Sequence, residues 1–178
     1  MAARMLSQGG VVAYPTEAVF GLGCDPLDAD AVARILDLKG REASMGFILL
    51  AGHRDQLDPW IDGLTPALEE RLYETWPGPV TWIVPAPRGV PWWLTGGRDT
   101  LAVRVTAHQP AAALALEAGM PIVSTSANRS GKSPARTALQ VRRRFGGLLD
   151  AIAPGPVGGL ARPTEIRDLL TGRVLRAA

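Results

Sequence analysis

The sequence predicts an α/β fold: a single-domain, open twisted sheet of mixed parallel and antiparallel strands with flanking helices, spanning residues 1–178. Three observations predict it. Short β-branched runs interleave with amphipathic helical segments along the whole chain. The breaks between them are local clusters of Gly, Pro, Asn and Asp, with no repeat and no low-complexity linker. The composition, 47% hydrophobic and 20% charged over 178 residues, suits one globular domain with ample core material.

The elements follow in order. Residues 10–14 form a β-branched run that reads as a strand, ended by Pro15. Residues 28–39 (DADAVARILDLK) place Val32, Ile35, Leu36 and Leu38 behind two candidate N-caps, Asp28 and Asp30, and predict an amphipathic helix. A buried strand is expected at 47–50, a helix at 66–73, and strands at 80–84 and 101–105. An alanine-rich helix at 110–118 leads to a strand at 121–123. The helix at 137–145 is closed by Gly146 and Gly147, and shorter strands near Ala151 and at the C-terminus finish the chain. Sites in such sheets collect at loops beyond strand ends.

Several classes fall away. No apolar run is long enough to span a bilayer. The N-terminal residues lack the basic start and apolar stretch of a secretory signal. Cys24 is the only cysteine, so neither an intrachain disulfide nor a thiolate metal cluster forms. A cytoplasmic location is expected. The net charge of +2 does not define a nucleic-acid partner. Of 19 basic residues 17 are arginine, and lysine is kept only at Lys39 and Lys132. A compact ammonium suits phosphate differently from a guanidinium fork, which draws attention to both positions.

Three segments carry candidate chemistry. In VSTSANRSG (123–131) an apolar run gives way to small hydrogen-bonding residues, which suit either an ordinary turn or a loop facing an anion. Lys39 and Arg41 flank Gly40 where a helix ends, and read as a basic C-cap or as a two-pronged phosphate clamp. YPTEAVFGLG (14–23) follows a strand; Thr16 suits a small polar ligand, and Gly21 and Gly23 suit an open floor. Its spacing fits neither the Walker loop nor the dinucleotide fingerprint. His53 and His108 stand outside metal-ligand spacing, and Ser124 and Ser126 outside a nucleophile elbow. The tryptophans, among them Trp76, Trp82, Trp92 and Trp93, are assigned to packing. The run Arg142, Arg143, Arg144 reads as a solvated helix face, with RNA contact as the alternative.

Together, YPTEAVFGLGCDP, LDLKGRE, WPGPVTW, LAVRV, PIVSTSANRSG, PTEIRD and VLR resemble, in that order, the YrdC-like family, over almost the whole chain. The resemblance implies the short single-domain form. It also implies the activity of the family's bacterial threonylcarbamoyl-AMP synthases, which act in tRNA modification. The implied substrates are L-threonine, bicarbonate or carbon dioxide, and ATP with Mg2+, and no protein-built metal site is implied. By resemblance Lys39 and Arg41 are catalytic, and ATP is bound by Lys39, Arg41, Ser126, Asn128, Arg104 and Arg176. Thr16, Phe20 and Thr164 fall at the threonine pocket. Hand-off of product to a threonylcarbamoyl transferase complex is implied, and a direct tRNA contact is left open. Two departures stand out: Met45 lies where relatives often carry a third basic residue, and Phe20 replaces a tyrosine. Two alternatives are an RNA-binding or ribosome-maturation factor without catalysis, and a carbamoyl-adenylate-forming unit of hydrogenase maturation.

Overall fold

A computed structural model describes residues 1–178. Nine strands form one sheet: β1 (Val12–Pro15), β2 (Phe20–Gly23), β3 (Ile48–Ala51), β4 (Val80–Pro85), β5 (Thr100–Val105), β6 (Ile122–Ser126), β7 (Ala151–Ile152), β8 (Glu165–Asp168) and β9 (Val174–Arg176). Their spatial order is β7-β1-β2-β6-β3-β5-β4-β8-β9. The pairs β1–β7, β3–β5 and β4–β8 are parallel and the rest antiparallel, which gives the mixed open sheet expected from the interleaved pattern. The helices are α1 (Ala2–Leu6), α2 (Ala29–Lys39), α3 (Pro66–Tyr73), α4 (Trp92–Thr95), α5 (Gln109–Ala118) and α6 (Ala138–Phe145).

Local chemistry explains the boundaries near the site. Asp28 caps α2 by accepting the Ala31 N–H at 2.9 Å, while Asp30 lies inside the first turn. Gly40 ends α2 in the left-handed region at φ 58°, where a side chain would be strained. The next residue, Arg41, is thereby turned off the helix axis.

Side-chain alternation splits the sheet into two unequal faces. Val11, Ala13, Leu49, Ala51 and Val123 join the larger core with Val32 and Ile35 of α2 and Val141 and Phe145 of α6. Val12, Tyr14, Leu50 and Ile122 face the other way, under Ala3 and Leu6 of α1 and Ala111 and Leu114 of α5. The second helical layer is short. It covers one end of its sheet face and leaves the other end open.

Two strands differ from the sequence reading. β6 does not stop at Val123: Ser124 pairs with Ile48 of β3, Thr125 with Leu22 and Ser126 with Gly21 of β2. The hydroxyl-rich stretch is strand first and loop afterwards. β2 lies in the 14–23 segment, where the sequence predicts no strand after Tyr14. It pairs with β1 because its glycines make room for Tyr14: a Cβ at Gly23 would lie 2.5 Å from the Val123 carbonyl oxygen and 2.8 Å from Tyr14 Cε1. A backbone oxygen held in a central sheet yields little, so Gly23→Ala is expected to cost about 1–3 kcal/mol by overpacking. A lowered urea midpoint with an unchanged slope checks this.

Candidate active site

The uncovered end of the sheet is the floor of a cleft of about 650 Å³. One cross-strand row runs along it: Ser124 of β6 opposite Ile48 of β3, then Ala102 of β5, Ile83 of β4 and Asp168 of β8. Directly paired residues share a face, so all five side chains line the same cleft. Ser126 and Gly21, the next pair toward β1, extend the row. The turn between β1 and β2 supplies Thr16, Ala18 and Val19, and the segment before β8 supplies Thr164.

Four arginines, Arg41, Arg98, Arg104 and Arg176, line this cleft. Arg41 donates from Nη1 to Thr125 Oγ1 at 3.1 Å and from Nη2 to the Gly46 carbonyl at 2.7 Å, with its guanidinium 5.2 Å from the Phe47 ring centre. Its buried Nε has no partner, and burial pulls its pKa down. Arg104 is 4% exposed; Nη1 donates to the Thr164 hydroxyl at 2.5 Å, and Nη2 lies 3.4 Å from Glu17 Oε2. Arg176, at the rim, donates from Nη2 to the Thr164 carbonyl at 2.7 Å. Thr164 thus joins two arginines through its two oxygens. Thr16 is buried and donates its hydroxyl to the Val19 carbonyl at 2.7 Å, which fixes the turn.

Lys39 is 4% exposed and stands behind the cleft wall. Its Nζ donates to the Ser126 carbonyl and, at 3.1 Å, to the Asn128 carbonyl. In return the Lys39 carbonyl accepts the Ser130 N–H at 2.7 Å. The ammonium therefore ties the end of α2 to the loop after β6, which is more than a helix cap does. Burial, and secondarily Arg41, push the Lys39 pKa from the ordinary 10.5 down to about 8.

The structure brings Thr16, Arg41, Arg104, Ser126, Thr164 and Arg176 together on one cavity. Asn128 sits one step back, donating Nδ2 to the Arg129 and Lys132 carbonyls at 2.9 and 2.8 Å, so its amide shapes the loop. Phe20 does not line the cleft. It is 1% exposed in the larger core, because its neighbour Gly21 occupies the cleft side and strand alternation turns Phe20 away. The sequence reading missed Glu17, Arg98 and the Thr125 hydroxyl. An acidic residue directly after an apolar strand, in PTEA, was the available signal for Glu17. The structure holds no group of three or more His, Cys, Asp or Glu side chains placed to bind a metal ion.

An open sheet face with serine hydroxyls at one end and four guanidinium groups around it gives this α/β protein a cleft whose charge suits a small polyanion. The Sua5_yciO_yrdC family model, described as "Telomere recombination", matches residues 4–178, and the chain belongs to that family. It is 57% identical over 175 residues to a Halorhodospira halophila protein named threonylcarbamoyl-AMP synthase, covering 98% of this chain and 92% of that one. A Nitrosococcus oceani protein of the same name is 58% identical over 176 residues, covering 99% and 95%. Among solved structures, Sua5 of P. abyssi complexed with L-threonine superposes with a TM-score of 0.88 at 37% identity. That match covers 95% of this chain and 50% of the Sua5 chain.

Proposed function

We propose that this chain is a threonylcarbamoyl-AMP synthase, working on L-threonine, bicarbonate or carbon dioxide, and ATP. The neutral threonine amine adds to carbon dioxide with loss of a proton, or condenses with bicarbonate with loss of water, and gives a carbamate. A carbamate oxygen then attacks the α-phosphorus, the bond to the bridging oxygen breaks, and pyrophosphate leaves. Threonylcarbamoyl-AMP is the product, destined for tRNA modification through a threonylcarbamoyl transferase complex. Mg2+ enters with ATP as part of the substrate. A cytoplasmic location belongs to the same reading.

One observation carries it: four arginines from separate segments of the chain and the Ser126 hydroxyl converge on one cleft, with Thr16 and Thr164 at its Arg104 end. Two anions meet in this reaction, and their mutual repulsion opposes it. Fixed cations that need no reorganisation offset that repulsion. Arg41 and Ser126 face the phosphates, with Lys39 and Asn128 holding the loop that carries Ser126. Arg176 closes the nucleotide side at the rim. Arg104, which the resemblance places with ATP, is assigned instead to the threonine end because its Nη1 donates to the Thr164 hydroxyl. Thr16, Arg104 and Thr164 hold threonine and its carbamate. No enzyme nucleophile is required, so catalysis is positioning plus electrostatics.

Purified protein given ATP, threonine and bicarbonate should release pyrophosphate, and omission of threonine should return release to background. Turnover of ATP that ignores threonine would sink the proposal. Arg142, Arg143 and Arg144 lie exposed on α6, outside the cleft. Arg144 donates to the Ser133 carbonyl, next to Pro134 of the cleft lining, and is kept. Replacing Arg142 and Arg143 with glutamine should leave pyrophosphate release within about twofold, since exposed charges outside the cleft are screened by solvent. Any tRNA affinity they carry should fall steeply with salt. Loss of catalysis in that folded variant would favour an RNA-centred role instead.

A further inference from the structure

Glu17 has no part in the reaction as described, yet it is 7% exposed and carries a formal charge beside the cleft. Its Oε1 accepts the Thr106 hydroxyl at 2.6 Å, and Oε2 faces Arg104 Nη2 at 3.4 Å with no hydrogen-bond partner. Arg104 is equally buried, and its Nε is also unpartnered. Stability does not account for such a pair. Taking both charges out of water costs more than a long, single contact returns, and an apolar pair of similar size would serve the fold as well.

The surroundings indicate what the pair is for. Thr106 is 1% exposed and accepts the His108 N–H at 3.1 Å, so the hydroxyl that aims Glu17 is itself fixed. The Glu17 carbonyl accepts the Leu160 N–H at 3.0 Å, and the Thr16 carbonyl accepts the Gly158 N–H at 2.9 Å. Those two bonds anchor the segment that delivers Thr164 to Arg104. Gly158 is needed at this crossing, where a Cβ would lie 3.0 Å from the Glu17 backbone. The Thr16–Glu17 step therefore sets both partners of a contact that lies at the cleft: the Glu17 carboxylate faces Arg104, and the two backbone carbonyls anchor the segment that carries Thr164.

We infer that Glu17 is a positioning residue that, held by Thr106, orients the Arg104 guanidinium toward the carboxylate-bearing substrate. This rests on the assignment of Arg104 to the threonine end of the cleft. The carboxylate contact itself is left to Arg104. Glu17 restrains the fork so that it meets that anion without searching rotamers, and leaves the phosphate end untouched.

Glu17→Gln keeps the acceptor for Thr106 and removes the charge facing Arg104. KM for threonine should rise by at least about tenfold. ATP affinity should stay within about twofold, since the phosphate end is unaltered. Thr106→Val, which keeps the charge and releases the carboxylate, should move threonine KM in the same direction by less. The Arg104 Nε–H resonance in nitrogen-labelled protein should be narrow and slow to exchange in the wild type, and broadened in both variants without any substrate. If Glu17→Gln fails to fold, Thr106→Val carries the test. Folded variants with unchanged threonine KM and an unchanged Arg104 resonance overturn the inference. A wild type that does not use threonine overturns the functional reading, and the resonance still decides whether Glu17 orients Arg104.

Discussion

Lys39→Gln is expected to lower threonine-dependent pyrophosphate release by about ten- to a hundredfold, the range set by loss of charged hydrogen bonds worth about 1.5–3 kcal/mol. Lys39 Nζ is held by the Ser126 and Asn128 carbonyls. Its removal therefore loosens the loop that presents Ser126 as well as removing a cation near the phosphates. The pH dependence separates the two effects. In the folded protein the ammonium titrates near 8 instead of 10.5, so between those values the unfolded chain holds more proton. Stability from this site consequently rises with pH across that window, and the burial penalty is fully present below it. ATP has the opposite preference, since its phosphates favour the ammonium. Affinity for a non-hydrolysable ATP analogue should fall by up to about tenfold per pH unit above about pH 8. The Lys39→Gln profile should be flat there. Titration calorimetry from about pH 7 to about pH 10 reads both profiles. A wild-type profile that is also flat would confine Lys39 to bracing the loop.

The second large effect falls on Arg41. Its two Nη atoms are fixed by Thr125 and Gly46, and its face rests against Phe47. The fork is therefore pre-aimed, and its unpartnered Nε is an unused donor beside the cleft. Arg41→Ala should reduce pyrophosphate release by at least about tenfold, with a measurable loss of melting temperature because the Gly46 carbonyl loses its donor. Arg41→Lys should recover the stability better than the activity, since an ammonium cannot reproduce the planar fork. Equal recovery of both would reduce Arg41 to a structural tie.

Much of this was legible in the residues. The α2 boundaries follow from Asp28 and Gly40, and the mixed sheet from the interleaving of β-branched runs with helices. What escaped did so for physical reasons. β2 has four residues, two of them glycine, so the alternation of Phe20 and Leu22 with Gly21 and Gly23 is too brief, and its β-propensity too low, to mark a strand; the Tyr14 ring lying against the glycines explains the choice. α1, at five residues, is too short for a periodic signal and is held by packing against β1 and α5. Ser124, Thr125 and Ser126 look like a turn because polar residues seldom fill a central strand. They are strand residues: Ser124 and Ser126 lie on the cleft floor, and Thr125 between them turns to the opposite side, where its hydroxyl accepts from Arg41.

The candidate site divides the same way. Residue types marked Lys39 and Arg41 as phosphate-compatible, the family resemblance added Arg104 and Arg176, and the fold gathers the three arginines on one cavity. Position decided the rest. Phe20 is lost to the core by the parity of one strand residue, and Asn128 turns its amide into its own loop. Glu17 emerges only because β1, β5 and the 158–164 segment meet at one point.

If the cleft joins a threonine carbamate to the α-phosphate of ATP, the adenylate formed with isotopically labelled bicarbonate carries the label, and mass spectrometry reads it. The expected product is an adenylate that contains threonine and one labelled carbon, formed in step with pyrophosphate and lowered by at least about tenfold in Lys39→Gln and Arg41→Ala. A threonine adenylate without the label, or ATP hydrolysed to unmodified AMP at the same rate, would contradict it.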